Sequence, residues 1–564
     1  MQMTHRKMQA ARVLARTALL LSLAGLFSGS AVFAQDHRDD HARFDFQPGN
    51  LVVSRSVYDN QASNVTVGAI LPPNCASTTG GCSAATGAPF NGLYPEVFNN
   101  DIYDGSFGIT SRIFLDQITP LGWPIDSLEV PNSLDHGITS TSDQLVTSFS
   151  SKSELALHLS TDGKYLTFGG YVAPVNELDV SNSNTPGEVD PTNPVGENVY
   201  RAVATVDKHG KFTFTETNAY SGNNGRSAIW NNSDGADFFY TVGNAGNGAN
   251  PQPNGVILGA GAQILAPATE SESAQTPGTP TPVASFSVTE LGAKADKIGK
   301  DDNFRGETVF NNVLYFTKGS GSNGVNTVYF VDTVGSACPN GVGLPAAGAT
   351  LPTAPLTYDL ATLQKDGLPS NTCILAGFPS TPNKTATVTA FPFGLWFANS
   401  DTLYVADEGD GYTGGTDLYT HAAAQTTAGL QKWVFNAATQ TWELAYTLQN
   451  GLELGTAYTV HGYPTGDNAA TGLPWAPATD GLRNITGAKL PFGWVAIYSI
   501  SSTISGNGDT GADPNKLFVV LDEVQNTSAT AAAKESFFAI RQARDLEVLR
   551  GVSFTPGTGE FPWY

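Results

Sequence analysis

Apolar and polar positions alternate along this chain in short runs, and one longer pattern returns. It appears as "SELALHLSTDGKYLTFGGY" from Ser153, "GRSAIWNNSDGADFFYTVGNAG" from Gly225, "FRGETVFNNVLYFTKGSGSNGVNTVYFVD" from Phe304 and "FGLWFANSDTLYVADEGDG" from Phe393. Each has an apolar run, a turn carrying Asp or Asn, a second run rich in Tyr, Phe and Val, and a glycine-rich exit. Alternating runs of this length predict half-buried strands, and Asp and Asn tolerate the left-handed backbone of tight turns, so each unit predicts a β-hairpin. Two more runs follow each hairpin. After Phe393 come "GLQKWVFN" (Gly429–Asn436) and "TWELAYTL" (Thr441–Leu448). After Ser153 come "NVYRAVATVD" (Asn198–Asp207) and "KFTFTETN" (Lys211–Asn218). Four antiparallel strands per repeat predict propeller blades with long insertions.

The two ends of the chain fit the same frame. "RGVSFTP" (Arg550–Pro556) has the form of a first strand with no hairpin after it. "GNLVVSRSVY" (Gly49–Tyr58) reads as a second strand with no first, and "SRIFLDQIT" and "PIDSLEVP" (Ser111–Thr119 and Pro124–Pro131) complete the set. One blade drawn from both ends closes a ring and hides the sheet edges. First strands near 153, 226, 305, 394, 483 and 550 predict an all-β, six-bladed propeller. A seventh blade would have to come from "TVHGYPTG" (Thr459–Gly466) or from Gly255–Leu291, and a pair of β-sandwiches is the competing fold.

Composition agrees with many strands and turns: 14% of residues are charged, with 60 Gly and 33 Pro. The basic start with Arg12 and Arg16, the apolar "TALLLSLAGLF" (Thr17–Phe27) and the small Val32 and Ala34 predict a secretory signal over 1–34. A polar segment, 35–48, and one propeller domain, 49–564, follow. The expected location is the periplasm or the cell exterior, as a monomer. A net charge of −22 disfavours nucleic acid as a partner, since phosphate recognition needs clustered Lys and Arg. In an oxidising compartment the four cysteines predict two local disulfides, Cys75–Cys82 and Cys338–Cys373.

The stretches "PFGLWFANSDTLYVADEGDG", "LQKWVFNAATQTWELAYTL" and "VLRGVSFTPG" resemble a family of secreted bacterial β-propeller proteins with NHL-like repeats, in which "LYVAD" is a common second-strand phrase. The resemblance spans about Gly49 to Pro556. It implies a propeller and secretion, and it brings no catalytic residues.

The candidate chemistry is sparse. There is no Gly-x-Ser-x-Gly elbow, His-Glu-x-x-His or phosphate loop. "GSGSNG" (Gly319–Gly324) lies between two predicted strands and reads as a hairpin loop. Arg226, Arg305, Arg483 and Arg550 all stand at the start of a first strand, where the central channel would be lined. They read either as a ring that takes an anion at the channel mouth, with Glu307 beside them, or as ties between blades, and the acidity of the chain favours ties. "ADEGDGYTGGTD" (Ala406–Asp417) groups Asp407, Glu408, Asp410 and Asp417, oxygen ligands suited to calcium or simply a solvated acidic turn. Trp230, Trp396, Trp433, Trp442 and Trp494 fall within strands and read as core. The sum is a secreted binding or scaffold propeller for a small anion, a glycan or a protein. The alternative is a calcium-assisted hydrolase of esters, lactones or phosphoesters at the channel.

Overall fold

The computed structural model describes residues 44–61, 63–71, 89–90, 108–134, 144–186, 195, 197–244, 261–267, 285–286, 303–320, 324–338, 341–353, 372–469 and 471–560. Its strands form six antiparallel sheets. In the first, Glu547–Phe554 pairs with Leu51–Val57, which pairs with Thr110–Ile118 and then Pro124–Glu129. The predicted closure is therefore present: Leu51 lies opposite Phe554 and Val52 opposite Ser553. Beyond the ladder, Gly49 N–H donates to Thr558 Oγ1 at 3.0 Å. The innermost strands of the other sheets are His158–Leu159, Gly225–Asn231, Phe304–Phe310, Pro392–Asn399 and Ala478–Leu490. Each touches the next, and the last touches Glu547–Phe554, so the six sheets stand as blades around one axis. Numbered from the sheet made by both ends, these are blades one to six.

The alternation read from the sequence places the outer strands closely. Gly429–Asn436 and Thr441–Leu448 are found as expected, and the blade-two strands run Arg201–Asp207 and Phe212–Thr217. The "GSGSNG" stretch joins two paired strands, Val313–Lys318 and Thr327–Val331. The ambiguous region 255–291 supplies Ala262–Leu265 and Ser285–Phe286, the outer strands of blade three, rather than a seventh blade. The first strand expected from Ser153 is much shorter, His158–Leu159. Leu155 has a left-handed backbone (φ 61°), and the Glu154 carboxylate is drawn into the loops, where it accepts from Thr147 Oγ1, Ser148 N, Tyr171 Oη and Asn224 Nδ2. A β-ladder tolerates neither.

Two devices hold blade to blade. Hydroxyls on second strands donate to carbonyls in or just before the next inner strand: Ser54 to Leu155 O at 2.8 Å, Thr167 to Ala228 O at 2.5 Å and Thr317 to Phe393 O at 2.6 Å. Between blades five and six, the fully buried Lys432 ammonium meets Asp522 at 2.8 Å, and Asp522 also accepts from Tyr446 and Tyr404. Apolar clusters fill the remaining space between neighbouring blades. Of the two expected disulfides, Cys338–Cys373 is present, tying the blade-four insertion to the strand Thr372–Leu375; Cys75 and Cys82 lie outside the described residues. The predicted signal also lies outside them.

Candidate functional site

Five of the six inner strands carry a β-bulge at one equivalent position. Opposite one residue of the partner strand, the inner strand has two, Arg305–Gly306, Phe393–Gly394, Arg483–Asn484 and Arg550–Gly551. In blade three the bulge falls at Arg226. A bulge breaks the pleat and re-aims the side chain it carries. Four of these five bulges carry an arginine, which is why the repeat begins with one. The small residue that follows marks the channel's waist. A Cβ at Gly306 would stand 2.6 Å from Phe393 O, and one at Gly394 would stand 2.7 Å from Arg483 O, so only glycine lets adjacent blades approach this closely.

The arginines lie on one side of this waist and are buried or nearly so. Glu408, just past the second strand of blade five, reaches two of them: Arg483 Nε donates to Oε2 at 3.0 Å, and Arg305 Nε lies 3.6 Å from Oε1. Blade five is the one whose bulge carries Phe393, and Arg305 lies over that ring at 5.9 Å. Arg226 donates to Phe304 O and to Asn303 of the next blade, while its Nε has no hydrogen bond. Burial holds the Arg226 guanidinium well below its ordinary range; Arg305 pushes the same way, and Glu408 and Glu154 oppose it. Arg305 is lowered by burial and by Arg483, against Glu408. Arg226, Arg305 and Arg483 therefore share one electrostatic site. Arg550 turns aside and donates to Phe149 O and Gly511 O. The tie reading thus describes part of what these side chains do, since Phe304, Glu408 and Gly511 belong to neighbouring blades.

Glu307 does not join them. Among the described residues no ion pair links it to an arginine. Its carboxyl is buried, and burial raises it well above the usual carboxylate range against the Ser227 hydroxyl, which acts the other way. Ser227 Oγ in turn lies 2.8 Å from His158 Nε2.

The acidic loop does not gather its carboxylates around one point. Asp407 is buried and accepts from Phe391 N, Gly409 N and Gln431 Nε2; burial raises it to about 6. Glu408 faces the arginines, Asp410 meets His421 Nε2 at 2.6 Å, and Asp417 accepts from Tyr412 Oη. Among the described residues the one group of three closely spaced potential metal ligands is Asp332, Cys338 and Cys373, and both cysteines are spent in the disulfide. Two buried groups of this end went unread in the sequence. Asp480, raised to about 7 by burial, accepts from Gly411 N and Gln425 Nε2. Arg201 donates to carbonyls of Ser181, Ser183, Val199 and Asn223. A lone arginine inside the apolar run "NVYRAVATVD" was the available signal for the latter.

Beyond the waist, toward the C-terminal ends of the inner strands, the channel widens into a cavity of about 860 Å³. That falls in the usual range for small-molecule sites.

No family model matches the sequence, and no curated protein does. Solved structures with some likeness include "NanB plus Optactamide", at 8% identity and a TM-score of 0.31, covering 71% of this chain and 62% of that one. Another is the NanB sialidase from Streptococcus pneumoniae with a chlorobenzyl-ammonio-ethanesulfonate, at 8% identity and a TM-score of 0.29, covering 78% of this chain and 64% of that one. The chain spans under two thirds of the length of both.

Proposed function

We propose that this propeller is an exported binding module that takes a small anion, or an acidic group of a partner, at the arginine end of its channel. The observation that carries the reading is the incomplete pairing of three arginines gathered there, with Glu154 and Asp480 near Arg226 and Arg483 but in no ion pair with them among the described residues. Arg226, Arg305 and Arg483 interact with one another across three blades, and Glu408 is the carboxylate directly paired with two of them. Arg226 Nε has no acceptor, and Arg305 meets Glu408 only at 3.6 Å. Like charges held together in a desolvated place repel, so a bound anion lowers the energy of all three. The planar guanidinium fork suits carboxylate, phosphate or sulfate. Export is supported by the sequence pattern of 1–34 and by the Cys338–Cys373 disulfide.

A thermal-shift screen of phosphate, sulfate, citrate and galacturonate, each against chloride at equal ionic strength, tests this. At least one should raise the melting temperature of the wild type, since a ligand that binds only the folded state stabilises it. Arg305→Gln should lose most of that gain, because a charge-assisted hydrogen bond contributes about 1.5–3 kcal/mol. No stabilisation by any of the four, or equal gains in both proteins, leaves the arginines as ties between blades.

A further inference from the structure

The cavity beyond the waist has a floor built on the same sixfold repeat. Three residues past the arginine position, each inner strand contributes one side chain: His158, Ile229, Thr308, Trp396, Thr486 and Ser553. In a chain of net charge −22, His158 and Asp234 are the only ionisable side chains among the described residues that line the cavity. Asp234 is exposed at the rim. His158 is pushed down to about 4 by burial, so its imidazole is neutral at neutral pH. The hydroxyls of Thr308, Thr486 and Ser553 make no hydrogen bond to any described residue, although Ser553 is only 4% exposed. One face of the Trp396 indole covers the backbone of Gly487, where a Cβ would stand 2.5 Å from the ring. Tyr404 lies beside it at 6.0 Å between ring centroids, and the part of the indole left uncovered lines the cavity. Its Nε1–H also has no partner among the described residues.

We propose that this cavity binds an uncharged saccharide, one sugar ring resting on Trp396 and its hydroxyls bonding to Thr308, Thr486 and Ser553. The chemistry of the floor selects this class. Among the described lining residues an anion finds no cation, and a cation finds only the rim carboxylate of Asp234. A wholly apolar ligand would strip water from three hydroxyls and return nothing to them. A sugar offers both missing halves. Its hydroxyls donate and accept, as Ser and Thr hydroxyls do, and its C–H face matches the apolar face of an indole. Thr308, Trp396 and Thr486 come from consecutive blades, which places a hydroxyl on each side of the indole. The site depends on none of the arginines, which lie across the waist.

Calorimetric titration of the full chain with cellobiose, maltose, lactose, xylobiose and diacetylchitobiose tests the proposal. At least one should bind saturably. Thr308→Val combined with Thr486→Val keeps the side-chain shapes and removes two hydroxyls, so its affinity should fall on the order of tenfold or more. Trp396→Leu should lose binding. If that variant does not fold, the valine pair alone decides. Arg305→Gln should bind the sugar as the wild type does, whatever becomes of anion binding. Failure of all five sugars to bind, or unchanged affinity in the valine pair, overturns the proposal.

Discussion

The arginines were legible one residue at a time because the repeat could be aligned. Their partners were not. Glu408 sits in an acidic loop that reads as solvated or calcium-binding, and only the ring brings Arg305 and Arg483 to it from the blades on either side. Glu307 shows the opposite failure, since its neighbour in sequence, Arg305, is not its partner in space. Burial without charge pairing also sets a pH dependence. Asp480 is raised to about 7, and Asp407 and Asp513 to about 6, from an ordinary 3.8. A carboxyl that holds its proton more tightly when folded stabilises the fold at low pH, and that contribution is lost as pH rises from about 4 to the folded value of 6 or 7. His158 works the other way: lowered from 6.5 to about 4, it weakens the fold as pH falls through that window. Asp480→Asn removes one of the opposing terms. Its melting temperature should decline less than that of the wild type between pH 5 and pH 7, and parallel declines would show that Asp480 is ionised throughout.

At the scale of elements, hairpins were readable wherever a polar turn separated two apolar runs, as in Gly429–Asn436 and Thr441–Leu448. The bulges were not, because a bulge is a mismatch of length between two strands and is absent from either strand alone. The outer strands of blade three were also hidden; Ser285–Phe286 is too short to leave a period. The cysteine pair was readable because it brackets a single insertion. Cys338 and Cys373 are separated by 35 residues, and a closed loop of that length contributes about 3–4 kcal/mol by chain-entropy reasoning. Replacing both with serine should therefore lower the melting temperature of the oxidised protein and remove the part of its response to reductant that this bridge supplies. A melting curve that does not change would mean that the insertion is held by its packing alone.

For the whole molecule, the pairing of Glu547–Phe554 with Leu51–Val57 was the inference the sequence supported best, because each end carried what the other lacked. The cavity floor was the least visible, since Thr308, Trp396 and Thr486 look like ordinary strand residues until six strands are set around an axis. Removing residues 547–564 leaves Leu51–Val57 as a bare edge on one side and exposes the inner strand of blade six on the other. Such edges pair with other chains. The truncated protein should run as oligomers or aggregate in size-exclusion chromatography, while a clean monomer would mean that five complete blades hold without the sixth inner strand.

The seam between those two strands is a clasp, and it behaves as one in time. The residues it joins are about as far apart in sequence as this chain allows, with Gly49 bonded to Thr558 across 509 positions. The hairpins of blades two to six can form from neighbours, but the clasp must wait for an arc of five blades to bring its halves together. It is therefore the last thing to fasten, and the ladder Leu51–Val57 with Glu547–Phe554 sets how long a refolding chain spends as an open arc.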